Sequence, residues 1–188
     1  MSYKVPSSEA YRNDPNVLIN GFGLLSKVDG LESLYFGLQL EDPKTAYVFN
    51  NWTTRAHHQR LIESPSYRKV LEPMGPAFEG PSTITHVQFA SDVTVAFKQP
   101  VTEITIHTAN NPKDRQKVLE LFAEFAKSRN GLATYGALEE KDDVTVFISG
   151  WLSVEETVKA QHLDSIIAQL LALGTADIKH VKLTHHSL

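Results

Sequence analysis

The chain has 188 residues, with 18 Lys and Arg against 22 Asp and Glu for a net charge of −4, and 41% of it is hydrophobic. That composition excludes a disordered tail, and the acidic balance lacks the basic face with which proteins grip nucleic acid. With no Cys, disulfides, thiolate zinc sites and cysteine nucleophiles are excluded together.

In chain order, the first fifteen residues offer only a stub at Tyr3–Val5. No run of signal-peptide or membrane-span length follows, which gives the expectation of a soluble, cytoplasmic protein. Leu18, Phe22 and Leu25 then fall at helical spacing over 16–27, although Gly21 and Gly23 weaken that helix by about 1 kcal/mol each. Leu34–Leu40 and Thr45–Asn51 read as strands around the turn Glu41-Asp-Pro-Lys44. A helix opened by Trp52-Thr53-Thr54 follows, restarted at Ser64-Pro65, and Ser82–Phe89 reads as a closing strand. Asp92–Phe97 alternates well enough to be a spare strand. Either that segment or the N-terminal stub fills the missing first strand of this half.

The second half is cleaner. Thr102–Thr108 alternates Ile104 and Ile106 against Glu103, Thr105 and His107, the pattern of a half-buried strand. Asn111-Pro112 is an N-cap followed by proline at the first helical position, and Val118, Leu121, Phe122 and Phe125 continue at helical spacing until Gly131. Strands over 132–139 and 144–151 flank the turn Glu140-Lys-Asp-Asp143. Ser153-Val-Glu-Glu156 is a capping box, which opens a helix carrying Leu163, Ile166, Ile167 and Leu170. A last strand runs over 178–183, and His185-His186 reads as a frayed tail.

The order β-α-β-β-α-β thus occurs in full once and nearly so a second time. Two landmarks tie the halves together. Ile84-Thr-His-Val-Gln-Phe89 and Ile178-Lys-His-Val-Lys-Leu183 share one frame, and Asn51-Trp52-Thr53-Thr54 matches Gly150-Trp151-Leu152-Ser153. The expected division is residues 1–97 and 98–188.

A doubled unit of this size resembles the dimeric α+β barrel superfamily. Within it, the chain is similar to tandem proteins of the antibiotic biosynthesis monooxygenase type. The resemblance rests on Tyr35-Phe-Gly-Leu-Gln-Leu-Glu-Asp-Pro43, Phe49-Asn-Asn-Trp52, Ser64-Pro-Ser-Tyr67 and Ile84-Thr-His-Val87. In the second half it rests on Ser149-Gly-Trp151, Ala160-Gln-His162 and Ile178-Lys-His-Val181. It implies an α+β fold of two fused ferredoxin-like repeats whose antiparallel sheets pack face to face. It also implies ligand binding in clefts between sheet and helices or inside the barrel. The implied activity is cofactor-independent oxygenation, or cyclisation, of an aromatic or polyketide-like compound. The ligand would be small and hydrophobic, with no nucleic acid or membrane partner, and a homodimer is left open. A non-catalytic binding or stress-associated barrel competes with that reading, and a haem-binding relative is a third option.

Strand alternation places His86 and His180 on one face and their apolar neighbours on the other. The expectation is that the polar face looks into a lumen and the aliphatic face toward helices. Under the resemblance, His86, Asn50 and Trp52 are the expected catalytic residues, deprotonating and positioning the substrate. Tyr35, Tyr47, His107, Tyr135, Trp151, His162 and His180 are the expected substrate contacts. Each imidazole also has a structural reading as a hydrogen-bonded strand residue, and each aromatic as core. Glu103 and His107 share a face but stand about 13 Å apart, too far to bind a metal by themselves. No metal is expected. His57-His58, adjacent on a helix, cannot chelate together and read as solvated, with one able to line a pocket. Glu139-Glu140 read as solvated turn charges.

Overall fold

A computed structural model describes residues 2–161 and 165–188. Its elements divide into two units, residues 1–84 with 184–188, and residues 85–183. The boundary between these compact units lies after Ile84, and residues 184–188 belong to the first unit.

In the first unit, strands β1 (Ser2–Pro6), β2 (Leu31–Leu38), β3 (Thr45–Trp52), β4 (Thr83–Thr85) and β9 (Thr184–His186) form one sheet in the order β4-β1-β3-β2-β9. The N-terminal stub is thus a full strand, and it pairs antiparallel with β3 from Ser2–Phe49 to Pro6–Thr45. Sequence reading reaches only its middle, Tyr3–Val5, as one of two alternatives, because the strand is short and has irregular flanks around Pro6 and Pro15. His185-His186 is not frayed. Leu34, Tyr35 and Phe36 pair with His186, His185 and Thr184, and the His186 ring lies 5.0 Å from Phe22.

Helices α1 (Glu9–Asn13), α2 (Asn16–Ile19), α3 (Phe22–Leu25), α4 (Arg55–Glu63) and α5 (Tyr67–Leu71) complete the first unit, with a 3-10 segment at Glu72–Ala77. The expected 16–27 helix is broken at Asn20-Gly21, where glycine costs a helix most. Leu18, Phe22, Leu25, Leu34, Phe36 and Val48 meet in the core. Ser64 ends α4 and its hydroxyl accepts from the Ser66 amide, so the chain restarts as the Ser-Pro pair implies.

The second unit contains α6 (Thr94–Phe97), β5 (Val101–Ala109), α7 (Arg115–Ser128), β6 (Ala133–Ala137), β7 (Val144–Trp151), α8 (Val154–Gln161), α9 (Ser165–Leu173) and β8 (Gly174–Val181). Its sheet runs β6-β7-β5-β8, the order that β2-β3-β1-β4 shows in the first. Asn111 caps a 3-10 turn at Pro112–Asp114 before α7 begins, and Asn130 and Gly131, just past the end of α7, both have positive φ. Segment 92–97 is helical, not a strand. Asp92 takes both the amide and the hydroxyl of Thr94 at 2.9 Å, and that local bonding outcompetes its weak alternation. This helix lies on the Ile104 face of the sheet, where Gly150 makes room: a Cβ there would meet the Ala96 carbonyl at 2.9 Å. Phe122, Phe125 and Phe147 stack on the opposite face with ring centroids 4.9 and 5.2 Å apart. β8, the strand expected over 178–183, starts at Gly174, four residues earlier. Leu163 of the expected helix lies outside the described residues. Among those residues, no helix is long and apolar enough to cross a membrane.

Candidate functional site

The second unit builds its site on one row of side chains. Register places Glu103 opposite Ser149 and His180, Thr105 opposite Phe147 and Ile178, and His107 opposite Thr145 and Ala176. Alternation puts all of these on one face. Their partners show which face it is. His107 Nε2 lies 2.8 Å from the carbonyl of Leu170 in α9, and His180 Nε2 lies 2.9 Å from the hydroxyl of Thr157 in α8. The polar row is therefore beneath the helices, the reverse of the expected arrangement. Hydrogen bonds to helix groups, unreadable from alternation, decide its direction.

Between this row and the helices lies a cavity of about 240 Å³, lined by Glu103, Thr105, His107 and Trp151 with Phe122 and Leu170 among the apolar walls. Glu103 is 3% exposed, His107 0% and Trp151 5%. A carbonyl only accepts, so the His107 contact with Leu170 places a proton on Nε2 and leaves Nδ1 of the neutral ring as an acceptor. Nδ1 of His107, Oε2 of Glu103 and Nε1 of Trp151 are all buried with no hydrogen-bond partner. Leaving one such group unmade costs about 1–3 kcal/mol. Three of them around a single cavity mark a place built for a polar guest.

The carboxylate is held firmly. Glu103 Oε1 accepts from the Thr105 hydroxyl at 3.1 Å, while Oε2 stands 3.8 Å from His180 Nε2. Thr157 gives its own proton to the Val154 carbonyl at 2.7 Å, so its oxygen receives the Nε2 proton of His180. Arg129 supplies the opposing charge. Its guanidinium sits 3.5 Å over the Trp151 ring and donates to the Gly150 carbonyl at 3.0 Å and the Ser149 hydroxyl at 3.3 Å. Burial lowers the Arg129 pKa, and the carboxylates of Glu103 and Glu156 oppose that shift.

The first unit has a cavity of about 220 Å³ in the matching place, between sheet and helices. Asn50 lines it, with Val5, Val48, Leu71, Met74 and Phe78 around it. Trp52 shares the Asn50 strand face, but it packs on His58 with centroids 5.2 Å apart and is not part of that wall. His58 is fully buried, so only His57 of the pair reaches solvent. Tyr35 and Tyr47 alternate onto the other face, against His185 at 4.7 Å and Phe49 at 6.1 Å. The structure thus puts Tyr35 and Tyr47 on the opposite sheet face from Asn50 and Trp52.

His86 belongs to the second unit and lines neither cavity. Its Nδ1 is 2.5 Å from Glu140 Oε1, and its amide donates to Oε2 at 3.1 Å. Glu140 is accordingly no free turn charge. Burial raises its pKa, but the hydrogen bonds from the His86 ring and amide outweigh that and hold the carboxyl below its usual value. Tyr135 pairs with Phe147 on the helix-facing row and packs at the margin of the α7 core. His162 lies outside the described residues. Glu103 and Thr105 are the residues that sequence reading does not choose for chemistry. The available signal is a carboxylate inside a strand whose other residues, His107 apart, are apolar or hydroxylic. Among the described residues, no group of three or more His, Asp or Glu could hold a metal ion.

Two antiparallel sheets that share the strand order β2-β3-β1-β4 and β6-β7-β5-β8, each carrying helices over a cavity, make an α+β fold. No family model and no curated protein matches the chain. Among solved structures it is similar to a candidate monooxygenase from Fusobacterium nucleatum subsp. nucleatum (TM-score 0.70, 7% identity, 99% of this chain and 92% of that one). It is also similar to an anthrone oxidase-like protein (0.69, 9%, 98% and 90%) and to a candidate monooxygenase from Lactobacillus acidophilus (0.65, 9%, 99% and 94%). At such identities the likeness is one of fold.

Proposed function

We propose that the chain is a monooxygenase-like enzyme acting on an aromatic or polyketide-like phenol without a bound cofactor, and that its chemistry runs in the cavity of the second unit. The observation that carries this reading is the set of three unpartnered buried groups around that cavity. The fold neighbours, one of them anthrone oxidase-like, support the substrate class. The matching strand orders support a duplicated origin in which one half kept the polar groups.

Glu103 Oε2 takes a proton from the bound phenol or enol, and Trp151 Nε1–H donates to the oxyanion that forms. Arg129 stabilises that geometry by clamping the Trp151 ring. The resulting anion delivers electrons to molecular oxygen. A C–O bond forms at the activated carbon, the peroxide takes up the proton, and loss of water leaves a carbonyl. In balance, a ring methylene and one molecule of oxygen become a ring carbonyl and one molecule of water.

Oxygen uptake with a panel of anthrones and hydroquinones tests this. Turnover by the wild type that falls in Glu103→Gln and Trp151→Phe supports the second-unit site. Turnover that survives both variants but vanishes in Asn50→Leu, Trp52→Ala or His86→Ala returns the chemistry to the residues expected from sequence. No turnover with any substrate favours a binding barrel.

A further inference from the structure

We infer that the second-unit cavity selects a fused-ring aromatic diol with hydroxyls at opposite ends, and that His107 is the residue that reads the far hydroxyl. The inference rests on the proposed function for the location of the site but concerns recognition, which binding alone can test.

The buried groups without a hydrogen-bond partner stand at the two ends of the cavity, and Thr105 between them gives its hydroxyl proton to Glu103 Oε1. Glu103 and Trp151 share one end, since Glu103 pairs with Ser149 and Trp151 follows two residues on along the same strand face. His107 stands at the other, four residues along β5 and about 13 Å away. Between them the walls are Phe122, Phe147, Leu170 and Ile178. The protonation of each group follows from its other contacts. The Leu170 carbonyl fixes His107 Nδ1 as an acceptor, Glu103 Oε2 accepts, and an indole Nε1 can only donate.

Two hydroxyls satisfy all three. One donates to Glu103 Oε2 while its oxygen accepts from Trp151 Nε1–H. The other donates to His107 Nδ1. The apolar middle and the volume of about 240 Å³ suit a flat hydrocarbon body of two or three fused rings. A methyl ether at the far end has no proton to offer, and it would leave Nδ1 unpaired.

Anaerobic titration with 2,6-dihydroxynaphthalene, its monomethyl ether and its dimethyl ether tests this on the full chain. The diol is expected to bind at least tenfold more tightly than the monoether, and the monoether more tightly than the diether. In His107→Leu the diol falls to the affinity of the monoether. Because that variant replaces a buried, hydrogen-bonded ring, a second readout uses the unaltered protein. The Nδ1 nitrogen resonance of His107 should shift on adding diol and stay in place on adding diether. Equal affinities for the three probes, no binding of any, or an unmoved Nδ1 signal with bound diol would overturn the inference. Ranked binding without oxygen uptake would leave it standing while removing the proposed activity.

Discussion

The two cavities lie in equivalent places and differ by only about 20 Å³, 220 against 240, yet their walls differ in kind. Val5 pairs with Ala46, six residues before Trp52, and His107 pairs with Thr145, six residues before Trp151. The same sheet position is therefore a valine in one unit and an imidazole in the other. Asn50 corresponds by the same count to Ser149, but across from Ser149 stands Glu103 with its own hydrogen-bonded neighbours. A shared backbone fixes where a hollow forms between sheet and helices. The central strand decides whether that hollow is a core defect or a site.

The largest expected difference is in activity. Glu103→Gln should reduce oxygen uptake about a hundredfold, the scale of a lost general base, while Asn50→Leu should stay near the wild-type rate. Equal losses in an oxygen electrode would erase the distinction between the units. Stability sharpens it next. A Cβ on Gly174 would meet the Thr108 carbonyl and, at 2.7 Å, His107 Cε1, whereas one on Gly23 meets nothing within 4 Å. Gly174→Ala should cost about 1–3 kcal/mol by overpacking and weaken diol binding with it. Gly23→Ala in the first unit should stabilise by up to about 1 kcal/mol, because alanine favours helix and restricts the unfolded chain. Urea midpoints decide both.

The smallest effects are in pH. Burial first, and the neighbouring His185 second, lower the His186 pKa, so the unfolded chain binds the proton more readily than the folded one. The stability of the first unit should then fall as pH drops through the usual histidine range near 6.5, and His186→Phe should flatten that limb. The lowered carboxyl of Glu140 acts on the second unit at more acidic pH. Its contribution is present above the usual glutamate value and is lost as pH falls through the folded one, so Glu140→Gln should flatten only the acid end of a thermal-melting profile.

Much of the fold is legible in the chain. Strict alternation over 102–108, the Asn111-Pro112 start and the run 144–151 mark elements within a residue or two of those observed. In those segments one local signal dominates. The helix at 94–97 and the C-terminal strand are not legible, and the N-terminal strand shows only as a stub that competes with 92–97 for its place. Five residues or fewer carry too little pattern to outweigh pairing partners that arrive from tens of residues away. The site is half legible. His107, Trp151 and His180 stand among the ligand contacts expected from sequence, whereas Glu103 enters that reading only as half of a pair too far apart to bind a metal.

What the sequence determined by itself was the periodicity, and with it two sheets of alternating faces and the amphipathic helices that cover them. Which face those helices cover was settled by tertiary contacts, through Leu170 holding His107 and Thr157 holding His180. Alternation says that two rows of side chains lie on opposite sides of a sheet. It carries no sign, and only the packing of distant elements supplies one.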